Sequence, residues 1–274
     1  MRSPSLKASE AFAPAKINLT LHITGQRADG YHLLDSIAVF ADIGDLLTFA
    51  PSSQTDITVT GAFAAGVPTD HRNLVWQAAT LARQTARITL EKNLPHGAGI
   101  GGGSSDAAAV LRHFDMPQGA LELGADVPVC LTPQAQRMRG IGDQLEVLPA
   151  LPPLFAVLVN PQIHVPTPDV FRALAHKENA PMPAVLPAWN TTGACIEWLA
   201  TMRNDLEPPA IATAPQIAEV LTAINSCKGA ALARMSGSGA TCFGLFEAHA
   251  EAAAAADALA QDYPQWWVRA CRLS

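Results

Sequence analysis

The sequence predicts a two-domain α+β protein, and three observations carry that prediction. A chain of 274 residues is long for one core and comfortable for two. Leu151-Pro152-Pro153 marks a break, which divides the chain into domains at 1–150 and 151–274. After that break the order strand, helix, helix, strand, strand is that of an open-faced α+β sandwich. Apolar residues make up 49% of the chain, enough material for both cores.

Taken in order, residues 17–23 alternate, with Ile17, Leu19, Leu21 and Ile23 on one face, and so read as a strand. A turn-rich segment with two glycines, TGQRADGYH, follows. Residues 36–40, 45–49 and 57–60 read as short strands, 74–83 as a helix by its spacing, and 87–90 as a strand by its β-branched content. A glycine-rich loop then leads into an alanine-rich helix at 105–112. In the second half, 154–159 is a continuous apolar run, hence a buried strand. Residues 169–175 read as a helix, the proline-punctuated 178–190 as an irregular connection, and 211–224 as a helix. Strands at 233–235 and 241–246 flank a small-residue turn, 248–260 is an alanine-rich helix, and 267–272 closes the sheet.

Composition excludes several classes of function. Eighteen basic against 24 acidic residues give a net charge of −6, with no basic stripe, which argues against nucleic acid as a partner. An anionic small molecule remains compatible, because backbone N–H groups and a few placed cations bind anions within acidic proteins. Cys130, Cys195, Cys227, Cys242 and Cys271 are scattered and odd in number, with no CxxC pair. They read as reduced thiols of a cytoplasmic protein, not as a disulfide frame or a zinc site. The opening MRSPSLKASEAFAPAK has no apolar stretch of signal-peptide length, and no run of 18 apolar residues predicts a membrane span.

The clearest chemical feature is the run Pro95-His96-Gly97-Ala98-Gly99-Ile100-Gly101-Gly102-Gly103-Ser104-Ser105. Glycine lets backbone approach a ligand closely and adopt positive φ. Ser104, Ser105 and Asp106 offer caps to the helix behind it. A glycine loop running into a helix start is a phosphate cradle, because unsatisfied N–H groups and the helix dipole both face the anion. No Gly-Lys-Ser/Thr follows, so this is not a Walker loop. The run matches the dinucleotide fingerprint literally, but the helix is followed by a break where that fold needs a second strand and an acidic residue. A second small-residue turn, Ser236-Gly237-Ser238-Gly239, reads either as a hairpin turn or as another source of N–H groups.

Three segments, in this order and spacing, resemble the three motifs of the GHMP kinases: Pro14-Ala15-Lys16-Ile17-Asn18-Leu19, residues 95–108, and residues 236–239. Asp29-Gly30-Tyr31-His32, Gly124-Ala125-Asp126-Val127-Pro128 and Val165-Pro166-Thr167-Pro168-Asp169-Val170-Phe171 resemble the branch that acts on a cytidine diphosphate sugar-alcohol in non-mevalonate isoprenoid synthesis. The resemblance runs from about Ala13 to the C-terminus. It implies a two-domain fold with the active site in the inter-domain cleft, and phosphoryl transfer from ATP to an alcohol. Three departures are visible: Asp143 in Gly140-Ile141-Gly142-Asp143 stands where similar proteins have Glu, and the segments 73–87 and 112–124 are short.

The resemblance also implies roles. Phosphoryl transfer is mostly positioning and charge neutralisation. Asp126, set among apolar neighbours, reads from the residues alone either as a proton acceptor or as a cap before Pro128; the resemblance makes it the general base. Lys16 is its implied partner: an ammonium within ~4 Å of a nascent alkoxide contributes on the order of 4 kcal/mol at an effective dielectric of about 20, before desolvation. Asn18 shares the strand face of Lys16 and is implied as a substrate contact, with Thr167. Tyr31, His32 and Phe171 are implied contacts of the cytidine ring, each otherwise an ordinary core aromatic. ATP is assigned to residues 95–105 with Asn73 and Lys92 flanking its adenosine, and Gly237, Ser238 and Gly239 form the third motif. Mg²⁺ is expected with ATP, with Ser105 and Asp126 as nearby candidates and no carboxylate cluster marking a protein-built cage. The expected assembly is a monomer or weak homodimer. Alternatives are a GHMP kinase for mevalonate, homoserine or a sugar, a non-catalytic nucleotide-binding module, and, third, a redox enzyme.

Overall fold

The computed structural model describes residues 9–274. The opening residues 1–8 of the stretch read above as lacking a signal peptide lie outside the described residues. The chain forms two compact units that interleave along the sequence. One gathers residues 9–15, Ile43–His96 and Gly101–Thr132; the other gathers Lys16–Asp42, Gly97–Ile100 and Pro133–Ser274.

The predicted strand at 17–23 is two strands, β1 (Ser9–Asn18) and β2 (His22–Gln26). All four alternating apolar residues are buried, as the pattern requires, but the backbone changes partner between them. Leu19 donates its N–H to Ile37 O, whereas Leu21 donates to Arg203 O and accepts from Asp205 N. Lys16 thus lies inside a strand, not at the start of one. The predicted strands at 36–40 and 45–49 are one 20-residue strand, β3 (His32–Pro51). Gly44 is not a turn: a methyl group there would strike the backbone of Ala13, so glycine permits a close backbone approach.

In the first unit, β4 (Asp56–Thr60) runs parallel to β5 (Ala86–Glu91), which pairs antiparallel with β3 from Leu46↔Glu91 to Pro51↔Ala86. Between β4 and β5 lies α1 (Leu74–Leu81), shorter than predicted. Helix α2 (Gly102–His113) begins three residues before the predicted start, within the loop's own glycines. The short helices α3 (Ala120–Leu123) and α4 (Val127–Cys130) follow. Leu47, Ile88, Leu90, Val75, Val110 and Leu111 are fully buried in this unit.

In the second unit, β3 pairs with β2 and, through Leu34–Ala38, with β6 (Gln136–Gly140), which pairs with β7 (Gln144–Val147). Neither β6 nor β7 was expected. The apolar strand β8 (Leu154–Asn160) is central, as predicted for a strand buried on both faces. Helix α5 (Thr167–Arg172) starts two residues early, on Pro168 in its first turn. Residues 178–190 hold no helix or strand, as expected. Helix α6 (Thr192–Ala200) was missed, although Thr191 caps it by accepting from Ala194 N. The predicted helix at 211–224 is two, α7 (Glu207–Thr213) and α8 (Gln216–Asn225). Pro215 cannot continue a helix, and Ala214 before it is held at φ −141° and ψ 87°. Strands β9 (Leu232–Met235) and β10 (Cys242–Phe246), helix α9 (His249–Asp262) and strand β11 (Trp267–Leu273) complete the chain. β11, β8, β10 and β9 are neighbours in that order, all antiparallel. Val157, Val159, Ile217, Val220, Ile224 and Phe246 join one core beneath α8 and α9. None of the five cysteines forms a disulfide. Among the described residues, no helix is long and apolar enough to cross a membrane.

Candidate active site

The second unit brings parts of all three motifs together. Lys16 N donates to Ile100 O at 2.9 Å, and Thr241 N to Ala98 O at 3.1 Å. Ser236 Oγ donates to Gly99 O at 3.0 Å and accepts from Asn18 N at 3.1 Å. A side chain at Gly99 would put its Cβ 2.5 Å from Ser236 O, and Gly99 is at φ +73°. Only glycine fits there, on both grounds. Asn204 Nδ2 fixes the 236–241 turn from behind, bonding Met235 O at 2.8 Å and Gly237 O at 2.9 Å. Lys16 and Asn18 share a face, as expected, and Lys16 Nζ donates to Asn18 Oδ1 at 2.9 Å. Asn18 Nδ2 in turn donates to Ser36 Oγ at 2.8 Å, so this carboxamide is engaged within the protein at both ends.

In the first unit the loop continues into α2. Gly101 caps the helix at φ 64°, and Gly102, Gly103, Ser104 and Ser105 form its first turn. Ser105 Oγ is buried with no hydrogen-bond partner among the described residues. Pro95 and His96 enter the loop, with the His96 ring edge-on to Phe63. The side chains of Asn73 and Lys92 are committed inward. Asn73 caps α1 by accepting from Val75 N at 2.9 Å, and donates to Pro68 O at 2.7 Å. Lys92 Nζ is bound to Asp45 and, at 2.7 Å, to Asp106 Oδ2, all three being buried. Burial pushes the Asp106 carboxyl well above the usual carboxylate range, against the pull of Lys92. Burial opposes the Lys92 charge, but its two carboxylates outweigh that and raise its pKa.

Asp126 stands at the N-cap position of α4, half-buried, and its side chain makes no capping hydrogen bond. The far end of α4 is held by Arg112, which donates to Cys130 O and, at 2.7 Å, to Phe12 O.

On the substrate side, Tyr31 is 60% exposed at the β2–β3 turn. The His32 ring stacks on Phe171 with centroids 4.8 Å apart, which brings together two residues 139 positions apart in sequence (171 − 32). His32 Nε2 is buried with no partner among the described residues. Burial, then the charge of Lys177, lowers the His32 pKa and keeps the ring neutral. Thr167 Oγ1 and Ser238 Oγ lie 2.7 Å apart, joining α5 to the third motif. Gly239 follows at φ +91°.

Sequence reasoning missed Asp45, Asp106 as an ion-pair partner, Arg112, Asn204 and the hydroxyl of Ser236. Only Ser236 carried a signal, its place at the head of the small-residue turn; the others acquire meaning through partners distant in sequence. No group of three or more His, Cys, Asp or Glu among the described residues is arranged to hold a metal ion.

With this geometry in place, the chain compares clearly with known proteins. Residues 73–132 match the GHMP kinases N terminal domain and residues 185–265 the GHMP kinases C terminal model. The chain is 58% identical to the 4-diphosphocytidyl-2-C-methyl-D-erythritol kinase of Dinoroseobacter shibae, over 97% of this chain and 96% of that one. It is 55% identical to the enzyme of that name from Cereibacter sphaeroides, over 97% and 99%. A crystal structure of 4-(cytidine 5'-diphospho)-2C-methyl-D-erythritol kinase superposes with a TM-score of 0.78 at 36% identity, over 97% and 99%. A homoserine kinase from Cytophaga hutchinsonii, at 18% identity and a TM-score of 0.64 over 99% and 96%, shares the fold alone.

Proposed function

The chain belongs to the 4-diphosphocytidyl-2-C-methyl-D-erythritol kinases of the GHMP kinase family, and we propose that it moves the γ-phosphoryl group of ATP onto the 2-hydroxyl of that substrate, a step of non-mevalonate isoprenoid synthesis. The observation that carries this reading is the meeting of Lys16–Asn18, the 98–100 loop tip and the 236–241 turn through buried hydrogen bonds. High identity to kinases of one name disfavours the mevalonate, homoserine and sugar alternatives.

An alcohol holds its proton as tightly as water, with a pKa of roughly 15 to 16. Asp126 takes that proton as the acceptor oxygen bonds to the γ-phosphorus. The bond from that phosphorus to the β,γ-bridging oxygen breaks, and ADP leaves with the electron pair. Lys16 stabilises the negative charge on the acceptor oxygen, and the N–H groups of the loop within residues 96–104, up to the first turn of α2, take the charge on the phosphates. Asn73 and Lys92 mark the adenosine side as chain positions. Tyr31 and Phe171 hold the cytosine ring by stacking, and the neutral His32 offers its free nitrogen to the base edge. Asn18, Thr167 and the third motif, Gly237, Ser238 and Gly239, line the acceptor side. Ser105 fits a phosphate-held Mg²⁺, because its hydroxyl is buried without a partner among the described residues. When bound, that ion draws charge from the phosphate oxygens. We place the boundary between the two family domains near Leu151, flanked by the two matched ranges. The protein is assigned to the cytoplasm, as a monomer or weak homodimer with no nucleic-acid partner.

ADP release with Mg-ATP and a panel of acceptors tests this: 4-diphosphocytidyl methylerythritol, mevalonate, homoserine and galactose. Release with the first alone is expected. Release with another acceptor would discard the reading of Tyr31, His32 and Phe171, and none at all, with ATP still bound, would favour a non-catalytic module. Asp126→Asn is expected to lower turnover about 10²-fold or more with ATP affinity within about twofold; unchanged turnover would remove Asp126 from its role.

A further inference from the structure

The side chain of Lys92 belongs to a buried cluster that joins the two stems of the phosphate loop. Asp45 Oδ1 accepts from Asn93 N at 2.6 Å and from Leu94 N at 2.9 Å, and its other oxygen accepts from Lys92 Nζ. One carboxylate therefore holds three consecutive residues of the incoming stem. Lys92 carries the hold onward to Asp106 in α2, the outgoing stem. A methyl group at Gly102, the first residue of α2, would lie 3.5 Å from Lys92 Nζ and 3.7 Å from Asp45 Oδ2, so the cluster packs directly against that first turn.

The electrostatics say what such a cluster is for. Two carboxylates face one ammonium, and Asp106 Oδ1 is buried with no partner among the described residues. A buried polar atom without a partner costs stability. Buried ion pairs in general are no more stable than apolar replacements of the same shape. Stability is therefore a poor reason for these three residues, and fixed geometry is a good one: the directional bonds hold 92–94 and 102–106 in one register.

We propose that Asp45 and Asp106 are positioning residues for ATP, acting through Lys92 to hold both stems of the loop so that the N–H groups at the start of α2 meet the phosphates. The proposal rests on the reading of residues 95–105 as the ATP cradle. It assigns the Lys92 ammonium to the protein interior and not to the nucleotide.

A double-mutant cycle on the full-length protein tests it, with ATP affinity, both KM values and kcat measured for Asp45→Asn, Lys92→Met and the pair. Each single variant is expected to raise the ATP KM about tenfold or more, with acceptor KM and kcat within about threefold. The pair is expected to be no worse than the worse single variant, because either change already breaks the same chain of contacts. Additive losses would mean that Lys92 meets ATP itself, and would overturn the proposal. A fall in kcat with both KM values unchanged would mean a merely structural role, and would overturn it equally. If Asp45→Asn does not fold, the near-isosteric Asp106→Asn takes its place in the cycle with the same expectations. Gly101→Val is the control: if it leaves ATP affinity intact, the cradle reading itself fails, whereas its loss of ATP binding beside an additive cycle sinks only the cluster's role.

Discussion

The tip and the stems of the glycine-rich loop are held by opposite physics. The tip, residues 98–100, is fixed by neutral hydrogen bonds, from backbone N–H groups and from the Ser236 hydroxyl, and by the absence of a side chain at Gly99, which lies against Ser236 O and Gly239. The stems are fixed by three buried ionisable side chains, Asp45, Lys92 and Asp106. A neutral tip adds no side-chain charge to the loop proposed above to receive phosphate. The ionisable stems give directional rigidity through hydrogen bonds buried inside the first unit. The contrast shows how a glycine-rich segment, floppy by composition, is held for use at both places.

The largest expected effect on this comparison is at the tip. Gly99→Val adds a side chain at positive φ against a carbonyl, and is expected to cost about 1–3 kcal/mol of strain and to weaken ATP binding about tenfold or more. Chemical unfolding and ATP titration read both quantities. Retained ATP affinity would make the tip a passive turn and leave the work to the stems.

A smaller effect is expected further along the outgoing stem. Arg112 lies near the end of α2 and bonds Cys130 O at the end of α4, the helix that Asp126 begins. Arg112→Met takes this donor from two carbonyls, one part-buried and one exposed to water, at about 1 kcal/mol. Turnover is expected to fall about threefold to tenfold with ATP KM unchanged, since the first turn of α2 is untouched. A rise in ATP KM with kcat unchanged would mean that α2 transmits the disturbance to the cradle and not to the base.

The smallest effect is a pH dependence at the neutral ring of His22 in the second unit. His22 Nε2 accepts from Arg203 N and its Nδ1 faces Ala180 O, both at 3.3 Å, so the ring must be neutral. Burial, then the nearby Arg203 charge, lowers its pKa below the ordinary 6.5. The unfolded chain thus takes up the proton first, and stability is lost as pH falls below 6.5, by at most about 1.4 kcal/mol per pH unit. Melting temperatures from pH 8 to 5 are expected to fall less steeply in His22→Gln. An equal slope in both proteins would remove His22 as the source.

Much of this was legible because the chemistry is concentrated in short runs. Residues 95–105 announce a close backbone approach by composition alone, and Lys16 and Asn18 announce a shared face by spacing. Tyr31, His32 and Phe171 were singled out only through the family resemblance, as contacts of one base; the direct stacking of His32 on Phe171 was not foreseen. The rest was illegible for stated reasons. Gly44 looks like a strand break, but only the position of Ala13 shows that it serves a close approach. Pro215 was a readable break in the helix at 211–224 and was overridden by a strong apolar period on both sides. Asp45, Asp106 and Arg112 are ordinary surface types in sequence, and their meaning lies in partners up to 100 positions away.

Phosphorus NMR of the reaction mixture tests the central claim most directly. With Mg-ATP and 4-diphosphocytidyl methylerythritol, the account predicts ADP together with a new phosphomonoester on the 2-hydroxyl carbon, the cytidine diphosphate linkage remaining intact. Inorganic phosphate in place of that ester, or a phosphate on another hydroxyl, would contradict it.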